Sequence, residues 1–303
     1  MKILIISSNT SIDKDSNDFS KSIDNAAGEF EVTVCSAEKL HYEIRESIDK
    51  SRIMIDASTD ISEFDVVYIK RAVPTYHHAQ SCALYLSKKN KKFITSDILV
   101  NNNVSADKLF EHILFSAHSF PLPETYLMSP DNFENAKSNL IESVNFPMVL
   151  KSTKGSRGRD NYLVEGFDEI LDILKSNPRE YLLQPYIPNS FDYRILVFGY
   201  KTRLVIKRTR TSEDTHLNNT SMGATPELVA LPDVEDGIIE LSERAAKLLQ
   251  REICGVDIMI NSADGSLILL ELNRPPEIET GSYVAEKCRA LADYFNEIGE
   301  SLK

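Results

Sequence analysis

The stretch GVDIMINSADGSLILLELNRPPEIETG, residues 255–281, reads as a hairpin whose second arm ends against the habits of a buried strand. Leu267 to Leu270 are apolar without a break. Glu271 and Asn273 then stand two apart, followed by Arg274, Pro275-Pro276 and two more glutamates. Successive strand residues point to opposite faces, so Glu271 and Asn273 share one. Asp264-Gly265 is a turn dipeptide that folds GVDIM back antiparallel to LLELN and sets Asp257 roughly across from Glu271. Two carboxylates and an amide oxygen on one sheet face suit Mg²⁺ or Mn²⁺, with waters and phosphates completing the shell. Two carboxylates so close would repel without a cation. The plain alternative is a strand that merely ends at solvent.

Working outward, Lys151 ends the hydrophobic strand FPMVLKS (146–152), where its ammonium either snorkels to water or awaits an anion. The loop behind it, Thr153-Lys154-Gly155-Ser156-Arg157-Gly158-Arg159, joins glycines and hydroxyls to cations. Glycine allows close backbone approach, and N–H groups with Lys and Arg favour phosphate. It is not a Walker A loop, since GxxxxGK[ST] is absent. LLQPYI (182–187), then Asp192, reads as a strand, hinge and acid able to line an adenine and ribose site. Arg194, Lys207, Arg208 and Arg210 put a cationic cluster on two strands joined around Gly199-Tyr200, and Asp192 and Arg194 are spaced to share a face. A solvated charged face is the competing reading. Residues 211–226 are polar, aperiodic and long for a connection, which suits a functional loop.

The first 100 residues alternate strand-like segments at 2–7, 30–36, 65–71 and 92–97 with helical spacing at 17–27 and 76–90, the pattern of a small parallel α/β domain. No GxGxxG follows the first strand, so a dinucleotide site is not indicated. Further helices are expected within 101–120, with Ser105 as N-cap, and over 168–176, 237–250 and 283–302.

At 303 residues the chain has room for one large or several small domains, and 42% apolar with 26% charged residues is ordinary globular composition. A net charge of −12 argues against a general nucleic-acid or anionic-membrane binder. No apolar run approaches the roughly 20 residues of a membrane span. Cys35, Cys82, Cys254 and Cys288 are scattered, with no CxxC or Cys/His cluster, so free thiols in a reducing cytoplasm are expected.

In order, ADKLF (106–110), FPMVLKS with TKGSRG, LLQPYI, DYRILVFG, KRTR…NNTSMGA (207–224), GVDIM and LELNRPP resemble the ATP-grasp superfamily of carboxylate–amine ligases, and within it the RimK-like group. Its most specific mark is GVD with E-x-N fourteen residues on. The resemblance implies an α/β (α+β ATP-grasp) chain: a small parallel α/β domain over 1–100, then two α+β subdomains, 101–187 and 188–303, clasping ATP. It implies that Lys108 and Lys151 hold phosphates, that the loop with Thr153, Gly155, Ser156 and Gly158 closes over them, and that Lys207 and Asn219 also contact the nucleotide. Backbone at Gln184, Pro185, Tyr186 and Ile187 would read adenine, and Asp192 would lie near the ribose. Asp257, Glu271 and Asn273 would bind two Mg²⁺, and Arg194, Arg210 and Asn273 would serve an acyl-phosphate formed from a substrate carboxylate. An amino acid or peptide amine would then displace phosphate. Pro185 stands where the hinge usually carries an acid, Leu217 where relatives carry a base, and Arg274 enters the stretch expected to shape the acceptor pocket. A non-catalytic, synapsin-like ATP-binding module and an ATP-grasp kinase are the other functions such residues could serve. The substrate and any homo-oligomer are left open by the sequence.

Overall fold

The computed structural model describes residues 1–7, 19–23, 25–26, 30–70, 76–100, 108–153, 160–211 and 224–303. Its amino-terminal part holds strands β1 (Lys2–Ser7) and β2 (Glu31–Ser36), a short hairpin of β3 (His41–Glu43) and β4 (Arg52–Met54), then β5 (Val66–Ile69), helix α1 (Tyr76–Lys88) and β6 (Lys92–Ile94). The parallel sheet runs β2-β1-β5-β6. A parallel sheet is covered on both faces, which explains why β1 is apolar without alternation. Leu4 and Ile6 pack with Ala79, Cys82, Ala83 and Leu86 of α1. Ile3 and Ile5 pack the other way, against the carboxy-terminal helix.

After α2 (Asp97–Val100) and α3 (Lys108–Ala117) comes a second, antiparallel sheet in the order β7-β10-β8-β9. Its strands are β7 (Tyr126–Met128), β8 (Met148–Ser152), β9 (Asn161–Val164) and β10 (Tyr181–Pro185), interleaved with helices α4 (Phe133–Leu140) and α5 (Phe167–Ser176). Met148, Leu150, Val164, Tyr181 and Leu183 pack on Phe133, Phe167, Ile170 and Leu174 of those helices. The period of two then turns Lys151, Leu182 and Gln184 to the opposite face.

The third sheet, order β13-β12-β11-β14-β15, is antiparallel throughout. It consists of β11 (Phe191–Phe198), β12 (Lys201–Thr209), β13 (Thr225–Val229), β14 (Ile253–Ile260) and β15 (Leu267–Asn273), with helix α6 (Ile238–Leu248) preceding β14. Tyr193, Ile195, Val205, Val256, Ile258 and Leu272 pack on α6 and on Phe115 of α3. The other face is charged near the start of β11. At its far end Leu196 and Phe198 join helix α7 (Val284–Ser301) and the first sheet in one core.

The α/β class and the principal strands and helices match the sequence reading. Strands β3, β4, β7 and β13 and helices α2 and α4 were not anticipated, being short or partly polar segments with little periodicity. Among the described residues no helix is long and apolar enough to cross a membrane.

The β11–β12 turn shows how locally the sequence dictates this architecture. Gly199 and Tyr200 both have positive φ, 63° and 61°, the requirement of a type I′ hairpin. A Cβ at Gly199 would drive into the ring of Tyr294, which is buried in the core beneath. Gly199→Ala is expected to lower unfolding free energy by about 2–3 kcal/mol through strain and overpacking. Urea denaturation, with a shifted midpoint and unchanged m-value, checks it.

Candidate functional site

The charged face of the third sheet is set by two irregularities of pairing. In β14–β15 the register is Ile258↔Leu269 and then Asp257↔Glu271, which leaves Leu270 as an extra residue. Without that bulge Glu271 would oppose Val256 and point into the apolar core. In β11–β12 the pairing passes from Val197↔Thr202 to Leu196↔Leu204, leaving Arg203 extra. An unbroken hairpin would set Lys207 across from Asp192. With the bulge Arg208 takes that place and Lys207 moves to the opposite face.

Asp192, Arg194, Arg208, Asp257, Glu271 and Asn273 therefore share one face. Arg208 grips Asp192 with two hydrogen bonds of 2.6 and 2.7 Å and lies 3.4 Å from Asp257 Oδ1. Arg194 donates from Nη2 to Asp257 Oδ2 at 3.0 Å, and its Nε lies 2.6 Å from Oδ1. Arg194 lies across Gly255, where a Cβ would come 3.1 Å from Nη1 and 3.3 Å from Cδ, so a glycine at that point of β14 leaves room for the guanidinium. Asn273 Nδ2 donates to Asp257 Oδ2 (3.3 Å) and Glu271 Oε1 (3.0 Å), and Lys108 Nζ at the start of α3 lies 3.3 Å from Glu271 Oε2.

These neighbours correct the expectation that the two carboxylates repel unless a metal intervenes. Burial raises the Glu271 carboxyl, but Lys108 and Lys151 overcome it and hold it down at about 2. Asp192 is pushed up to about 6 by burial, against the pull of Arg208.

The inner face of the second sheet looks onto this cluster. Lys151 is lowered to about 8, first by desolvation and then by the charge of Lys108, with Glu271 and Asp257 opposing the shift. It makes no ion pair within 4 Å among the described residues. Beside it Gln184 is buried, and its amide Nε2 donates to Thr125 Oγ1 at 2.8 Å and lies 3.1 Å from His112 Nε2. An amide nitrogen can only donate, so His112 Nε2 is the acceptor and its Nδ1 carries the proton given to Lys108 O at 2.7 Å.

Other predicted residues fall in three groups. Gly155, Ser156, Gly158 and Asn219 lie outside the described residues. Thr153 is buried at the strand end, its N–H and hydroxyl both directed at Glu180 O (3.2 and 3.4 Å). Arg210 sits at the hinge, donating to Asn189 O at 2.8 Å and lying 3.5 Å from the Tyr186 hydroxyl. Lys207 does not join the cluster: its Nζ lies 4.0 Å over the Phe191 ring, on the apolar side. Asp192 is paired with Arg208 through both carboxylate oxygens. At the hinge, Pro185 has no N–H and that of Tyr186 is given to Pro147 O at 3.2 Å, leaving Ile187 N–H as the remaining hinge donor. Arg274 pairs with Asp97, tying the strand exit to the segment that follows the first sheet.

The sequence reading missed Glu111, His112 and Arg251, all buried beside the cluster. One signal was present: Arg251-Glu252 stands directly before the buried strand ICGVDIMI, an unusual place for two charges unless both have partners.

A charged sheet face opposed by a lysine-bearing antiparallel sheet, preceded by a small parallel domain, is the architecture of an ATP-grasp fold. A model of the RimK-like ATP-grasp domain matches residues 105–287, more than half the chain, and the chain belongs to that family. It is 29% identical over 196 residues to mouse beta-citrylglutamate synthase B, covering 62% of this chain and 48% of that one. It is 26% identical over 216 residues to human N-acetylaspartylglutamate synthase A, covering 69% and 53%. The chain thus spans about half the length of these curated relatives. Among solved structures, the ATP-grasp ligase PsnB complexed with a minimal precursor superposes with TM-score 0.70 at 16% identity over 98% of both chains. VanG D-Ala:D-Ser ligase from Enterococcus faecalis superposes with 0.66 at 13% identity over 99% and 98%.

The donor set fits a hard divalent cation. Asp257 Oδ1 is buried and, despite its ion-pair contacts, accepts no aligned hydrogen bond, while Glu271 is ionised. No cluster of three or more His, Cys, Asp or Glu occurs among the described residues, and Asp257, Glu271 and the Asn273 amide would be the protein's share of such a shell. That sparse set suits Mg²⁺, which keeps waters and phosphates in its shell.

Neutral His112 has a consequence for stability. Burial, then Lys151, lowers it from 6.5 to about 4. Its contribution is complete above about pH 6.5 and is lost as pH falls towards 4, because the unfolded chain takes up the proton first, a change of up to about 3 kcal/mol. Urea unfolding at pH 7 and pH 5 is expected to show His112→Gln losing less stability on acidification than the wild type.

Proposed function

We propose that the protein is an ATP-dependent ligase joining a carboxylate to an amine through an acyl-phosphate, with units 1–100, 101–187 and 188–303 and the nucleotide between the last two. The observation that carries this reading is Lys151: a strand-end ammonium without an ion pair among the described residues, facing Lys108 and the Asp257–Glu271 pair. Four cations (Lys108, Lys151, Arg194, Arg208) against three carboxylates (Asp192, Asp257, Glu271) leave a local positive excess inside an acidic chain. That excess matches a polyphosphate.

Lys108 and Lys151 bind and orient the phosphates, and the hinge at 184–187 receives the adenine through its carbonyls and Ile187 N–H. Asp257, Glu271 and Asn273 would hold Mg²⁺, as one or two ions, with Mn²⁺ an alternative; bound there, the metal supplies charge neutralisation on the phosphate oxygens. A substrate carboxylate oxygen attacks the γ-phosphorus and the bond to the bridging oxygen breaks, releasing ADP. The amine then attacks the acyl carbon, the carbon–oxygen bond to phosphate breaks, and the amine proton leaves to solvent or base. Arg194, beside Asp257, meets the charge on the transferred phosphoryl group. Positioning and charge neutralisation carry most of the rate in such chemistry. The relatives' names, glutamate-ligating synthases and peptide or D-amino-acid ligases, support an amino acid or peptide as partner. The four unpaired cysteines support a cytoplasmic setting.

Incubation with ATP, Mg²⁺, hydroxylamine and pooled amino acids and small peptides is expected to yield ADP together with a hydroxamate. A phosphorylated product without hydroxamate would make the protein a kinase, and ATP binding without ADP release would make it a binding module; either result overturns the ligase.

A further inference from the structure

Glu111 of α3 and Arg251, just before β14, form an ion pair of 2.5 Å across 140 residues, with 3% and 2% of their surfaces exposed. A buried pair of this kind is poor value as a stabiliser, since well-packed apolar residues in its place are often neutral or better. Its location is what distinguishes it. Arg251 Nη1 also donates to the carbonyl of Leu272 at 3.0 Å, and Leu272 is the residue between Glu271 and Asn273. Glu111 lies one turn after Lys108, so both project from the same side of α3. Lys108 Nζ meets Glu271 from there. The next residue, His112, bonds Gln184 of β10 in the opposing sheet.

From this geometry we propose that Arg251 and Glu111 are positioning residues for the nucleotide site: α3 is a strut between the two sheets, and the Glu111–Arg251–Leu272 link sets Lys108 against Glu271 and Asn273. The inference rests on the nucleotide-binding part of the proposed function and does not depend on which bond the protein makes. Arg251 fixes the peptide group between Leu272 and Asn273, one residue on from Glu271, and Glu111 fixes the helix whose first turn presents Lys108. Partners in this relation to a metal ligand commonly alter affinity about 10- to 100-fold when removed. Neither side chain touches substrate.

The test compares wild type with the double variant Glu111→Leu/Arg251→Met, which removes both charges and keeps the buried volume, and with Glu111→Gln, which keeps shape and an acceptor oxygen. Binding of ATP with Mg²⁺ is measured by calorimetry on the full chain, with the Mg²⁺ concentration at half-saturation and the thermal midpoint alongside. The double variant is expected to keep its midpoint within a few degrees while the Kd and the Mg²⁺ requirement rise about tenfold or more. Glu111→Gln is expected to raise both severalfold. A purely structural pair would move the midpoint and leave the Mg²⁺ requirement alone; that result in either folded variant overturns the inference. The two proposals fail separately. Wild type that binds ATP with Mg²⁺ yet forms no hydroxamate sinks the ligase, while unchanged variant affinities beside a hydroxamate-forming wild type sink the strut.

Discussion

Everything chemical in this chain depends on strand register, and register here is decided by two unpaired residues, Arg203 in β12 and Leu270 in β15. Because side chains alternate with a period of two, one extra residue exchanges a strand's faces beyond it. Leu270 brings Glu271 and Asn273 onto the face that holds Asp257. Arg203 brings Arg208 there and sends Lys207 away. The apolar side is under equal constraint, since Tyr193, Val256, Ile258 and Leu272 must face α6 at the same time. The bulges reconcile a continuous apolar core with a charged face built from the same strands.

The charged face holds together by mutual compensation. Arg208 spans Asp192 and Asp257, Arg194 covers Asp257, and Lys108 with Asn273 satisfies Glu271. These paired charges are largely withdrawn from water, and removing one member of such a pair costs several kcal/mol. Lys151 completes the set from the opposing sheet without a partner of its own among the described residues. Among the described residues the charged face is thus held by its own ion pairs and hydrogen bonds.

Much of this was legible in the sequence. Period-two spacing placed Glu271 with Asn273 and Asp192 with Arg194, and apolar strands ending in Lys151 and Glu271 marked where core gives way to chemistry. The order of the motifs identified the family. Which face Lys207 and Arg208 take was not legible, because a two-residue hairpin without a bulge would set Lys207 across from Asp192. Nor was the pairing of Glu111 with Arg251, 140 residues apart, since a charged residue on a helix ordinarily reads as solvent-facing. The Arg274–Asp97 pair was hidden for the same reason, its two members lying in different parts of the chain.

The central claim is that the face built around Asp257 and Glu271 takes ATP together with a divalent cation. Calorimetric titration of ATP with and without Mg²⁺, in wild type and Glu271→Gln, addresses it most directly. Mg²⁺ is expected to tighten ATP binding by about tenfold or more in wild type and to have little effect in the variant. A variant that keeps the full Mg²⁺ effect, or a wild type indifferent to the ion, would contradict it.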